Sequence, residues 1–389
     1  MPPPLAPDFA GLVPDAPRFT THADALDRLE ALVRAHPDVA SFRVIGESEE
    51  GRPIAGITLG TGPARVSLIA GCHADEPVGP ETLRALVAGV LMRRADFDGL
   101  LRATTLCVVP HANPDGEARN RPWIERWSEE DPEATLGAYV RHVVREPPGR
   151  DVEFGFPAMR PENRAVAAFL AGHGPQTGGP QTGGPFALHA SLHGMAFSEG
   201  AMLLVERAWA GEGGAPDRTA HLRAAFAAAA HAAGLRLHDH DRGGEKGFAY
   251  LGAGFTTTPE GAAMRRHFEA AGDPATAALF GNSSMEFVRA LGTPGADGPA
   301  DGDPGALALV TELPLFVVPH DPASPPGVPA GYLAFRAALP AIRTALEAGD
   351  AAPLGAWGLR PLPLAAAMRL QMQVLTLGLQ RVLPRFNFA

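Results

Sequence analysis

A chain of 389 residues, 46% hydrophobic and 20% charged, can bury one large or two moderate domains, and its composition excludes a disordered polymer. A net charge of −10, with no lysine or arginine run to track phosphates, excludes nucleic acid as the main partner. No apolar stretch reaches the roughly 18 residues of a membrane span. The N-terminus MPPPLAPDFAGLVPDAP lacks the order of a secretory signal, so a cytoplasmic protein with no membrane partner is expected.

In chain order, proline-rich residues 1–19 read as an extended N-terminal arm, 20–348 as the main domain, and 349–389 as a linker with a terminal helix. Leu26, Leu29, Leu32 and Val33 recur at helical spacing over 22–35, and HPD ends that helix. Three β-rich runs follow: SFRVIGES, PIAGITLG and ARVSLIAG. The third is nearly all apolar, as a strand covered on both faces requires. GPETLRALVAGVLMRR is a predicted helix with Pro80 near its start, TTLCVVP the next buried strand, and HANPDG a loop. Cys72 and Cys107 lie in these apolar runs and are expected as two buried thiols.

RPENRAVAAFLAG then reads as a helix, FALHASLHG as a strand, RTAHLRAAFAAAAHAAG as a helix and ALALVTELPLF as a strand, with a last domain helix near 331–348. Strands alternating with helices predict an α/β fold around a mixed or mostly parallel sheet. Two low-complexity stretches, 174–185 and 291–305, are expected as surface loops. The tail PLAAAMRLQMQVLTLGLQRVL is amphipathic and suits either packing on the domain or an oligomer contact.

His73 and Glu76 stand three apart at the mouth of the run LIAG, where polar side chains are costly unless something binds them. Imidazole and carboxylate are favoured zinc ligands, and a catalytic zinc takes three protein ligands with one open position. The bland alternative is a surface histidine beside a helix-starting glutamate. His193, at the expected end of another apolar strand, offers a third ligand, with Gly194 as a turn. His189 shares its face but lies about 13 Å back along the strand, so a hydrogen-bonded core histidine is expected there. Glu312 sits inside the apolar run LVTELPLF, where a carboxylate has either an arginine partner or a chemical role such as general base.

These segments together resemble the zinc metallocarboxypeptidase (carboxypeptidase A-like) family over about residues 22–347. GCHADEP resembles its first ligand pair, NPDG its mid-chain loop, PENRAVAAFL the helix before the third ligand, SLHG that ligand, and TELP the catalytic glutamate. The resemblance implies a mixed, roughly eight-stranded sheet flanked by helices, with one Zn2+ held by His73, Glu76 and His193. It makes Glu312 the residue that activates the attacking water and passes the proton to the leaving amine. It also implies that Asp151 accepts a hydrogen bond from the first zinc histidine.

Where members usually read Asp-Leu-Asn-Arg, this chain has Asp151, Val152, Glu153 and Phe154. The missing Asn-Arg pair ordinarily grips the substrate's terminal carboxylate, which Phe154 cannot do and Glu153 would repel. Arg121, with Arg119 as its competitor at the substrate, is the expected arginine that polarises the scissile carbonyl. Met285 falls near the specificity position and implies an apolar pocket. No match to the family's capping tyrosine is found, and Tyr250 lies too far upstream. LHDHDRGGEKGF is expected as a solvated polar strand end and not a second metal site, with Arg242 or Lys246 as candidates for the missing anion recognition.

The expected function is therefore a zinc-dependent hydrolase cleaving a terminal amide bond of a peptide or small peptide-like substrate. A related amidase or deacylase, for a substrate without the usual terminal carboxylate, is the alternative. A non-catalytic zinc- or peptide-binding member is the third reading.

Overall fold

A computed structural model describes residues 8–172, 184–292 and 304–383, so most of the two expected surface loops lies outside the described residues. The strands are β1 (Ala40–Glu47), β2 (Pro53–Leu59), β3 (Ala64–Ala70), β4 (Thr104–Val109), β5 (Leu188–Ser198), β6 (Gly200–Val205), β7 (Arg236–Leu237), β8 (Tyr250–Gly252), β9 (Phe255–Thr257), β10 (Leu307–Val317) and β11 (Arg360–Pro361). They form one mixed sheet in the order β1-β2-β4-β3-β5-β10-β6-β9-β8, with β11 beside β10 and β7 beside β6. The count exceeds the expected eight because four of the strands are only two or three residues long.

The centre of the sheet, β4-β3-β5-β10, is parallel throughout. Its strands divide their side chains between two apolar layers. Val66, Leu68 and Ala70 of β3 join one cluster, and Ile69 joins the other with Cys107 and Val109 of β4. An unbroken apolar run is what a strand covered on both faces needs.

On the first face lie the helices Val78–Met92 and Leu364–Val382, both buried on most sides. The tail helix thus spends its apolar face inside the chain, beside Val78–Met92 and the helix Ala220–Ala232. The arm differs from an extended segment: a 3-10 helix over Phe9–Leu12 buries Phe9 and Leu12 against the tail helix. NPDG is not a free loop either. Asn113 caps the helix Pro114–Ile124, its side chain accepting from the Gly116 N–H.

Candidate metal centre

Two neighbouring strands deliver the candidate ligands, and a third delivers the candidate base. At the end of β3, Gly71 takes a left-handed φ of 68°, and a Cβ there would lie 2.3 Å from His111 Cδ2, so only glycine fits the turn that releases His73. Glu76 follows just before the helix Val78–Met92. His193 sits on β5, next to β3, with Leu192 paired to Ala70. Glu312 sits on β10, directly opposite His193. The strand does not end at His193 as expected: β5 runs on to Ser198, and Gly194 is part of it, paired with Leu313.

The three side chains converge. His73 Nδ1 lies 2.8 Å from Glu76 Oε1, His193 Nδ1 lies 2.9 Å from Glu76 Oε2, and the two Nδ1 atoms are 3.1 Å apart. The outward nitrogens are held by other carboxylates. His73 Nε2 lies 3.4 Å from Asp151 Oδ1. His193 Nε2 lies 3.0 Å from Glu153 Oε2 and 2.8 Å from Ser191 Oγ. Carboxylates on the outward nitrogens favour N–H there, which leaves two inward lone pairs and a carboxylate facing one point. One donor atom from each residue lies within 4.8 Å of the others, a donor set that fits zinc.

The electrostatics point the same way. Burial opposes charging of His73, yet Glu76 and Asp151 hold it well above the usual imidazole range. His193 is likewise opposed by burial and held up to about 10, chiefly by Glu76 and a hydrogen bond to Glu153. Glu76 is pulled well below the carboxylate range by the two imidazoles despite its burial. Glu312 moves oppositely: burial, then repulsion from Glu76, pushes it up to about 8. Its Oε2 is buried without a hydrogen-bond partner, so the arginine-paired alternative does not hold among the described residues. Such a cluster is anionic enough to charge its own histidines, and a metal cation would take over that role.

Several expected substrate residues lie elsewhere. Glu153 does not face the substrate. It is buried behind His193, accepting also from Ser284 N at 2.9 Å and Ser284 Oγ at 2.5 Å, and against its burial His193 first and then Ser284 hold it down to about 2. Phe154 is buried in a small cluster with Met264 and Phe280. Met285 is buried with Met202 and Val310. Arg119 pairs with Glu50 and, at 3.0 Å, with Glu146. Arg121 is bound to Glu117 and Glu125, each at 3.3 Å, and to the Thr20 carbonyl, in a small cavity behind His73 and Glu76.

A larger cleft of about 920 Å³ shares His73 and Glu76 with that cavity and is lined also by Glu312 and Arg145. Arg145 donates from Nε to Asp75 Oδ2 at 2.8 Å and from a terminal nitrogen to the Tyr139 hydroxyl at 3.3 Å. Sequence reasoning missed Arg145 because it stands far beyond NPDG, where spacing carries no signal. It also missed the cleft face of the helix Ala330–Glu347, which presents Tyr332, Arg336 and Arg343. The segment HDHD is not a solvated end. His238 is buried, and the rings of His238 and His240 pack edge-on to Tyr332 at 5.2 and 5.9 Å. His189 is a core histidine, between Ser67 Oγ and Ser284 Oγ at 3.0 Å each, and Tyr250 bonds to Asp239. Both cysteines are buried and free.

Residues 26–246 match the sequence profile of the zinc carboxypeptidase family. The chain belongs to that family. Among its relatives, mouse carboxypeptidase D is 27% identical over 161 residues, covering 38% of this chain and 11% of that protein. Carboxypeptidase B of the crayfish Astacus astacus is 34% identical over 93 residues, covering 23% of this chain and 31% of the relative. The chain thus spans well under two thirds of the relatives it matches. Among solved structures it resembles a putative metallopeptidase of Shewanella amazonensis (TM-score 0.49, 13% identity, 93% of each chain). It also resembles a metallo-carboxypeptidase of Burkholderia cenocepacia (TM-score 0.44, 15% identity, 92% of this chain and 68% of that one). No helix among the described residues is long and apolar enough to cross a membrane.

Proposed function

We propose that this chain is a zinc-dependent hydrolase that cleaves a terminal amide bond of a peptide or peptide-like substrate. One observation carries the reading: the turn after β3 and the neighbouring strand β5 bring two imidazoles and a carboxylate to one point, and a buried, unpartnered glutamate oxygen stands on the next strand over the same cleft. When bound, zinc supplies Lewis acidity toward the scissile carbonyl and toward water.

His73, Glu76 and His193 hold the ion, and Asp151 and Glu153 fix the tautomers of the two histidines. Glu312 Oε2 takes a proton from the attacking water as the C–O bond forms, then gives it to the amine nitrogen as the C–N bond breaks. Arg145, already anchored by Asp75 and Tyr139, takes the carbonyl-polarising role first given to Arg121.

An amidase or deacylase is the second reading. It is favoured by the positions of Glu153 and Phe154, which turn away from the cleft and leave the usual carboxylate grip unbuilt. Zinc content measured alongside hydrolysis of C-terminally free and blocked peptides separates the two. Cleavage of free ends supports the first, cleavage of blocked ends alone the second. A zinc-loaded protein that cleaves neither set leaves a binding module.

A further inference from the structure

Six acidic and five basic side chains line the cleft, yet three of the basic ones stand outside every ion pair among the described residues. Its acidic side chains are committed: Asp75 to Arg145, Glu146 to Arg119 and Arg160, Asp151 to His73, Glu245 to Lys246 at 3.5 Å, and Glu76 and Glu312 to the candidate catalytic centre. Three lining arginines, Arg242, Arg336 and Arg343, have no carboxylate within ion-pair distance among the described residues.

Arg336 and Arg343 are seven apart on the helix Ala330–Glu347, which puts them on one face two turns from each other. Arg242 approaches from the segment after β7, its guanidinium 4.5 Å above the Phe248 ring, so its side chain is braced before any ligand arrives. Both Arg242 and Arg336 act on the half-buried imidazole of His240, which burial, and after it these two charges, hold below its ordinary range. Arg242 also acts on Glu312, so it stands within electrostatic reach of the reacting atoms. Three guanidinium groups free of ion pairs thus line one concavity, and each has donors to offer a carboxylate of a ligand.

We propose that the cleft selects acidic peptide-like substrates, with Arg242, Arg336 and Arg343 receiving their side-chain carboxylates. This rests on the hydrolase reading for where the scissile bond lies. It adds a side-chain carboxylate grip, drawn from other elements, in a chain whose Phe154 offers none to the terminal carboxylate. Arginine suits the task because its planar fork engages a carboxylate through two donors.

The test separates side-chain carboxylates from a terminal one by using C-terminally amidated tetraglutamate and tetraglutamine. Binding to zinc-loaded Glu312→Gln protein is measured calorimetrically at two salt concentrations. The expected result is at least about tenfold tighter binding of tetraglutamate, weakening with salt and vanishing in a further Arg242→Gln, Arg336→Gln, Arg343→Gln variant. Arg336 and Arg343 are exposed, and a Glu312→Gln, Arg336→Gln, Arg343→Gln variant with unchanged melting guards against misfolding, with part of the preference lost. Equal affinities, or a preference that survives all three substitutions, overturns the proposal. Unsubstituted protein that hydrolyses neutral peptides without any acidic preference in binding leaves the hydrolase reading standing and this one fallen. The acidic preference in binding without hydrolysis of any peptide does the reverse.

Discussion

Glu312 and His193 are register partners on β10 and β5, so the candidate base and the candidate third ligand rise side by side from adjacent parallel strands. Their separation is set by inter-strand hydrogen bonding, about 4.8 Å between backbones, and not by any loop. Substituting Glu312→Gln removes the proton acceptor and keeps the shape. Hydrolysis should fall by roughly 10² to 10⁴ while zinc stays at one ion per chain, read by elemental analysis beside kcat/KM. Activity within tenfold of the parent would exclude Glu312 as the base.

Glu153 should act on the metal through His193. In Glu153→Gln the imidazole loses a charged acceptor at 3.0 Å, and zinc affinity should drop about 10- to 100-fold in chelator competition. Unchanged affinity would return Glu153 to a purely structural role beside Ser284.

The family's arginine cannot be restored where the sequence lacks it. Phe154 is buried edge-on to Phe280 at a ring distance of 5.8 Å. Phe154→Arg should therefore cost about 3 kcal/mol or more of stability and bring no gain on peptides with free carboxyl ends. A folded variant with raised kcat/KM on such peptides contradicts this.

Arg160 is buried among Glu146 and Glu162, each at 2.8 Å, and donates to the Arg150 carbonyl. Arg160→Met removes the ion-pair partner of the buried Glu162 and leaves Glu146 with Arg119 and Asn113. The expected loss is about 3–5 kcal/mol in urea unfolding, and a loss under about 1 kcal/mol would show the network to be dispensable.

His238 predicts the acid side of the stability curve. Burial first, then the neighbouring His240 and Arg242, hold it down to about 3, so the folded chain keeps it neutral where the unfolded chain protonates it near 6.5. The unfolded state then binds the extra proton between those values, and stability falls as pH drops through that window. Its share should reach about 1.4 kcal/mol by about pH 5.5. His238→Gln should flatten the slope between about pH 7 and 5.5, and an identical slope would count against it.

The parts legible in the sequence were those fixed by local order or by strand period. Leu68, Ile69 and Ala70 announce a doubly covered strand, and His73 and Glu76 follow it within one turn, so their meeting needs no distant information. Glu312 stands out because a carboxylate in an apolar strand is costly. What escaped was direction. Nothing in DVEFGF says that Glu153 turns inward behind His193 while Phe154 turns toward Phe280. Nearness to NPDG favours Arg121, but on the helix Pro114–Ile124 it is held by Glu117 and Glu125 and does not line the larger cleft, which Arg145 reaches from a loop. Gly194 looked like a turn residue, yet β5 needs it where the Leu313 carbonyl comes within 3.0 Å of a would-be Cβ.

The tail helix reaches the centre through Gln371. Its amide donates to the His193 carbonyl at 3.2 Å and to Thr311 Oγ1 at 3.1 Å, and accepts from Thr82 Oγ1 at 2.6 Å. Gln371 follows His193 by 178 positions, so a ribosome has made every ligand long before it makes the keystone beneath them. A fragment trimmed to the profile boundary at 246 has neither this brace nor Glu312, so the matched segment by itself lacks two parts of the candidate centre.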